Sequence, residues 1–170
     1  MDITCNQKGH ALNRRSMLLT GASLVAIPFA GARLALAAET VLTVTNAAGE
    51  DMMFSLADLD AMPQREFDSE TPWLEGKARF SGPLLRDILA KAMIGGGEIK
   101  AVALNDYAVS IPFADALDHD VIVTTRLNGE EMPVRDKGPL WVMYPFSDAP
   151  ALKTETNYSR CIWQLNRLQA

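Results

Sequence analysis

Cysteine and histidine are scarce in this 170-residue chain: Cys5, Cys161, His10 and His119 are the whole supply. Cys5 and His10 lie in an N-terminal stretch that reads as a signal, which leaves Cys161 and His119 alone in the rest. One cysteine makes no intramolecular disulfide. One histidine and one cysteine far apart make no local N/S metal motif. An unpaired cysteine of an exported protein reads as buried and inert. Long apolar runs are also missing: Leu18 to Ala30 holds about thirteen apolar or small residues, against roughly 20 for a spanning helix. There is no G-x-S-x-G, no phosphate-binding glycine loop and no G-x-G-x-x-G after a strand. Gly95-Gly-Gly97 follows a predicted helix and so reads as a cap and linker. No catalytic motif and no metal motif is present, and repeats, heptads and low-complexity blocks are absent.

The N-terminus has a recognisable order. Asn13-Arg-Arg-Ser-Met-Leu-Leu19 leads into the apolar run, and Ala35-Leu36-Ala37 supplies a small-x-small cleavage pattern. The arginine pair resembles a twin-arginine export signal, departing from the common form at Asn13 and Met17; a general secretory signal is the alternative. Both routes imply the periplasm, with cleavage near Ala37 and a single domain over 38–170. That remainder carries 12 Lys and Arg against 20 Asp and Glu, net −8. Such an acidic surface repels phosphate backbones, so nucleic acid is not an expected partner.

Within 38–170, Val41 to Thr45 alternates apolar and polar residues and predicts a strand, with Met52 to Phe54 returning beside it. Ser55-Leu-Ala-Asp58 has capping-box spacing and starts a short helix that Pro63 ends. Gln64 to Gly76 reads as a polar, acidic loop around Trp73. Pro83 suits the first turn of a helix, and Leu84, Leu85, Ile88, Leu89, Ala92 and Met93 give it one apolar face. This predicts one main helix over about 83–94. Ile99–Leu104 and Tyr107–Ile111 flank an Asn105-Asp106 turn, and a short helical turn follows Pro112. Val121–Leu127 predicts a strand ending in the Asn128-Gly129 hairpin signal. Leu140–Tyr144 predicts another, and Cys161–Leu168 packs at the end. Short hairpin-linked strands without alternating βαβ units indicate a β-rich α+β domain.

The unusual chemistry concentrates in Arg135-Asp-Lys-Gly-Pro-Leu-Trp-Val-Met-Tyr-Pro145, where charges, a Gly-Pro turn and two aromatics suggest a pocket wall for a flat, polar-edged ligand. Trp73, set among acids, either covers a sheet edge or meets a ligand. Core packing accounts for Trp163 and Tyr144. Asn105-Asp106-Tyr107 is a turn first, with a ligand role as the alternative.

Four motifs in order carry a family resemblance: Phe80-Ser-Gly-Pro-Leu-Leu-Arg-Asp-Ile-Leu89, Ala103-Leu-Asn-Asp-Tyr107, Leu127-Asn-Gly129 with Met132-Pro133, and Gly138 to Pro145. The chain resembles the sulfite-oxidase-type molybdopterin-binding oxidoreductase domain in a small, stand-alone, exported form, and is similar to its Cys-lacking periplasmic pterin sensors. The resemblance implies a mixed, multilayered β-rich α+β fold. It also implies a pterin site between the Trp73 loop and 135–145. Two departures stand out. Catalytic members carry a molybdenum-ligating Cys about where Asp68-Ser-Glu-Thr-Pro-Trp73 stands, and a hydroxyl from Ser69 or Thr71 is a poor substitute for a thiolate. Where they tend to carry a cofactor-holding Arg, this chain has Trp141.

A bare pterin is a flat bicycle that wants aromatic faces, an acceptor for its N3–H and 2-amino edge, and donors for its carbonyl and ring nitrogens. Trp73 and Trp141 are the expected faces, Asp136 or Asp106 the acceptor, and Lys137 or Arg160 the donor, with Tyr107 beside them. The reading is a ligand sensor for a reduced monomeric pterin, without molybdenum. By resemblance, its partner is the periplasmic domain of a membrane cyclic-di-GMP enzyme. The alternatives are a molybdopterin-dependent oxidoreductase with unusual metal ligation and a scaffold domain without ligand.

Overall fold

The computed structural model describes residues 39–170; the export signal predicted over 1–37 lies outside them. Strand β1 (Thr40–Thr45) turns through Gly49 into β2 (Asp51–Ser55). Ser55 then caps α1 (Leu56–Asp60) with both halves of the expected capping box, Asp58 N–H donating to Ser55 Oγ and Ser55 N–H to the Asp58 carboxylate. Strands β3 (Gln64–Glu70) and β4 (Lys77–Pro83) follow, then α2 (Leu85–Lys91). Next come β5 (Glu98–Ala103), β6 (Ala108–Pro112) and α3 (Phe113–Asp118). Strands β7 (Ile122–Thr124), β8 (Arg126–Leu127) and β9 (Glu130–Glu131) lead through a single 3-10 turn to β10 (Trp141–Met143). The last elements are α4 (Glu155–Arg160) and β11 (Leu165–Gln169).

The strands form three sheets, ordered β2-β1-β11-β5-β6, β3-β4-β8-β9 and β10-β7. The last strand sits in the middle of the largest sheet, parallel to β1 and antiparallel to β5. A continuous core of Leu42, Phe54, Leu59, Phe80, Leu85, Ile88, Ile99, Ile111, Trp141 and Leu165 lies between the layers. This is the β-rich α+β arrangement the strand pattern predicts.

Three local expectations need correction. The polar stretch after Pro63 is a strand: Phe67 and Ser69 are buried while Gln64, Glu66, Asp68 and Glu70 face solvent, so period two is present under the charges. Charged side chains suit an edge strand, which β3 is. The main helix is shorter than 83–94. Pro83 belongs to β4 and Leu84 is the N-cap. Met93 adopts φ 58° and is 75% exposed, so the helix stops before the glycines. The run 121–127 is two strands serving two sheets, β7 with β10 and β8 with β4 and β9. Asn128 and Gly129 both have positive φ, as the predicted hairpin requires.

Gly82, inside the Phe80–Leu89 motif, owes its place to a close approach: a Cβ there would overlap the Val123 carbonyl of β7. The motif therefore joins two layers at the spot where Phe80 enters the core.

Candidate ligand site

A cavity of about 550 Å³ opens between the Trp73 loop, the β5–β6 turn and the stretch from α4 to β11. Trp73 supplies one wall; Ala103, Asn105 and Tyr107 the second; Tyr158, Ser159, Cys161, Ile162 and Trp163 the third. The volume is in the range of small-molecule sites.

Two of the walls are held by backbone and the Trp73 wall by ring contacts. In the β5–β6 turn, Ala103 N–H donates to Tyr107 O at 2.8 Å and Tyr107 N–H to Asn105 Oδ1 at 3.1 Å. Asp106 takes the left-handed conformation that closes the turn, φ 63°. The third wall is laced to 137–142: Val142 N–H donates to Ile162 O, Gln164 N–H to Lys137 O and Leu165 N–H to Leu140 O, at 2.9 to 3.0 Å. Trp73 leans edge-on against three rings, Trp141 at 5.7 Å, Tyr158 at 5.8 Å and Trp163 at 6.0 Å between centroids. Edge-to-face contacts of this kind hold ring planes at fixed angles.

Of the residues expected at the site, Trp73 and Tyr107 line the cavity. The other five lie outside its lining. Trp141 is fully buried, its indole N–H donating to Cys161 O at 3.1 Å, and it backs Trp73 and Trp163 from inside. It presents no free face to a ligand. Lys137 places Nζ over the Trp141 ring, 5.8 Å from the centroid. Asp136 lies on the surface beside Arg135. Asp106, its side chain 82% exposed, pairs with Arg167 at 2.6 Å. Arg160 is committed to Asp115 at 2.7 Å, and Tyr144 donates to the same carboxylate oxygen at 2.7 Å. The segment 135–145 therefore supports the cavity from behind.

Trp163, read as core, is 39% exposed and lines the cavity. Tyr158 is not legible from periodicity, because α4, Glu155-Thr-Asn-Tyr-Ser-Arg160, has no apolar stripe; its sequence signal is Thr154, whose hydroxyl accepts from Asn157 N–H as an N-cap. Cys161 is buried as expected, and it also lines the cavity. Burial pushes its thiol pKa up to about 12, and the thiol donates to Asn157 O at 3.3 Å.

No Asp, Glu, Lys or Arg lines this cavity. Ser69 and Thr71, standing where the resemblance expects the metal-binding Cys, are buried hydroxyls; Thr71 Oγ1 has no hydrogen-bond partner among the described residues. A neutral hydroxyl is a hard donor and does not fit a centre that needs a soft thiolate. Among the described residues no three His, Cys, Asp or Glu cluster closely enough to hold a metal ion.

The sequence model of the oxidoreductase molybdopterin-binding domain family matches residues 30–147, more than half of the chain. The chain belongs to that family. A solved structure shares the fold: the sulfane dehydrogenase SoxCD from Paracoccus pantotrophus, with a TM-score of 0.58 and 21% identity over 75% of this chain. That match spans 37% of the SoxCD chain, so this family member corresponds to a little over a third of it. No curated protein matches the chain significantly. The family match stops at Ser147, whereas Tyr158, Ser159, Cys161, Ile162 and Trp163 follow it.

Proposed function

We propose that this family member is a periplasmic pterin-binding protein, a ligand sensor that takes a reduced monomeric pterin in the cavity between Trp73, Tyr107 and Trp163. The observation that carries the reading is a lining of four aromatic side chains with no charge among them. Flat, uncharged heterocycles gain from such walls through stacking and apolar burial. A dinucleotide or phosphate tail would find no cation in the lining to pair with. The buried hydroxyls at Ser69 and Thr71 favour the organic ring over the molybdenum-bearing cofactor on the same grounds of donor chemistry.

A sensor also needs a listener. A membrane cyclic-di-GMP enzyme with a periplasmic domain is the proposed partner, on the resemblance to the Cys-lacking pterin sensors. The test is calorimetry of the purified protein with a tetrahydropterin under anaerobic conditions. Binding at micromolar concentrations or below is expected, and no heat at high micromolar concentration would sink the reading.

One observation favours the second reading, a molybdopterin-dependent oxidoreductase with unusual ligation: Cys161 is among the residues of the cavity that Trp73 lines. Stoichiometric molybdenum in protein taken from its native compartment, lost in Cys161→Ser, would establish it over the sensor.

A further inference from the structure

We infer that the cavity reads its ligand through hydrogen-bond acceptors, so that it takes a 2,4-dioxopteridine of the lumazine type at least as well as a 2-amino pterin. The inference rests on the pteridine reading of this site and specifies what the site recognises.

The lining holds both spent and unspent polar groups. Three groups are already used. Ser159 Oγ donates to Thr156 O at 2.7 Å, the Cys161 thiol donates to Asn157 O, and the Cys161 carbonyl accepts the Trp141 indole. Asn105 Oδ1 accepts from Tyr107 N–H, but the Asn105 amide NH₂ makes no hydrogen bond within the described residues. The indole N–H groups of Trp73 and Trp163 make none either, nor do the hydroxyls of Tyr107 and Tyr158. An amide NH₂ and an indole N–H can only donate, whereas a phenol does either. The unspent set is therefore rich in donors.

A 2-amino pterin presents a donor–donor edge, N3–H beside the amino group. The strongest complement to such an edge is a carboxylate accepting twice, with a pair of carbonyls the weaker one. No carboxylate lines the cavity. Asp106, one residue from Asn105 and Tyr107, is exposed and held by Arg167; Asp115 is held by Arg160 and Tyr144. Exchanging the 2-amino group for a carbonyl turns that donor into an acceptor, which the Asn105 amide and the indoles can meet, while N1 changes from an acceptor to an N–H donor, which a phenol oxygen can meet. A site built to hold a donor would reject the dione by orders of magnitude, because its own acceptor would be left buried and unpaired. This lining has no carboxylate to strand.

The experiment compares 6-methylpterin with 6-methyllumazine, each in matched oxidation states, by calorimetry and mutual competition on the full purified chain. The expected result is a lumazine dissociation constant equal to or lower than that of the pterin, with the two competing for one site. Asn105→Asp, which installs a carboxylate at the wall, should shift the ratio at least tenfold toward the pterin. A wild-type preference for the pterin of tenfold or more would overturn this inference while leaving the pterin reading in place. An unchanged ratio in Asn105→Asp would overturn the role of Asn105. Binding of neither compound at high micromolar concentration would remove both this inference and the function it rests on.

Discussion

Asp115 on α3 holds Arg160 at the C-terminal end of α4 at 2.7 Å, across 45 residues of chain. The same carboxylate oxygen accepts from the buried Tyr144 hydroxyl, so three elements meet at one oxygen. Because α4 carries Tyr158 and Ser159, this contact fixes one wall of the cavity.

Removing the carboxylate leaves a largely buried guanidinium and a buried phenol without their partner. Asp115→Ala is expected to destabilise the fold by about 2–4 kcal/mol, below the full cost of a completely buried pair because both side chains keep some solvent contact. Urea denaturation measures it. Ligand affinity should also fall in Asp115→Ala, and much less in Tyr144→Phe, which keeps the ion pair. Equal effects of the two on affinity would mean that the pair does not position α4.

The tryptophans separate into support and contact. Trp141→Phe opens space in the core and gives up the indole bond to Cys161 O, and it should cost about 1–3 kcal/mol of stability with ligand affinity preserved. Trp163→Ala removes a half-exposed ring and should cost little stability. It should weaken pterin binding about tenfold, the worth of roughly 1.4 kcal/mol of stacking and burial. Denaturation and calorimetry on both variants give the four numbers. The reverse pattern would move the site to the far side of Trp141.

Cys161 titrates in a direction that thermodynamics can read. Its folded thiol pKa is raised to about 12, chiefly by burial. In the folded state the thiol stays protonated where an unfolded chain would ionise. The stability this represents is fully present below the ordinary thiol range and is lost as pH rises from there to about 12. Unfolding free energy of wild type should therefore decline over that window more steeply than that of Cys161→Ala. At pH 8 the native thiol should resist iodoacetamide for hours and react within minutes in urea. Rapid native alkylation would show that the wall opens.

Ser55→Ala removes the N-cap of α1 and should lower stability by about 1 kcal/mol near neutral pH. The Ser55 side chain and then its backbone N–H hold the Asp58 carboxyl below its usual range. A depressed carboxyl contributes stability above its unfolded pKa and loses it as pH falls through the folded one. The difference between wild type and Ser55→Ala should therefore shrink in acid. Denaturation curves at pH 7 and pH 3 check the sign.

Much of this arrangement was legible in the residues. Alternation in Val41–Thr45, the Ser55–Asp58 box and Asn128-Gly129 each act over a few residues, and each forms as read. The β3 strand was hidden because an edge strand carries charge on its outward positions and only Phe67 and Ser69 inward. The break at Thr125 was invisible locally, since one apolar run serves two sheets and the division is set by their partners. The segment 135–145 reads as a pocket wall, yet its Trp141 ring is buried and no residue of the segment lines the cavity. Whether a tryptophan on a short strand faces a ligand or a core depends on what packs against it, and the rings of Trp73, Phe80 and Trp163 pack against Trp141. Tyr107 and Trp73, each in a turn or loop with few apolar neighbours, line the cavity.

The position of β11 bears on the order in which the molecule can be assembled. Its residues 165–169 join β1 to β5, so the largest sheet stays in two halves until they arrive. The same stretch of chain brings Cys161, Ile162 and Trp163 to the cavity. As the ribosome extends the chain from its N-terminus, a scaffold with β1 to β10 already made lacks both the joined sheet and the third wall of the cavity. The long separation between partners such as Thr43 and Arg167 makes that last step slow relative to the local hairpins. Ligand present during refolding should therefore trap only the finished molecule and leave the early hairpin phases untouched.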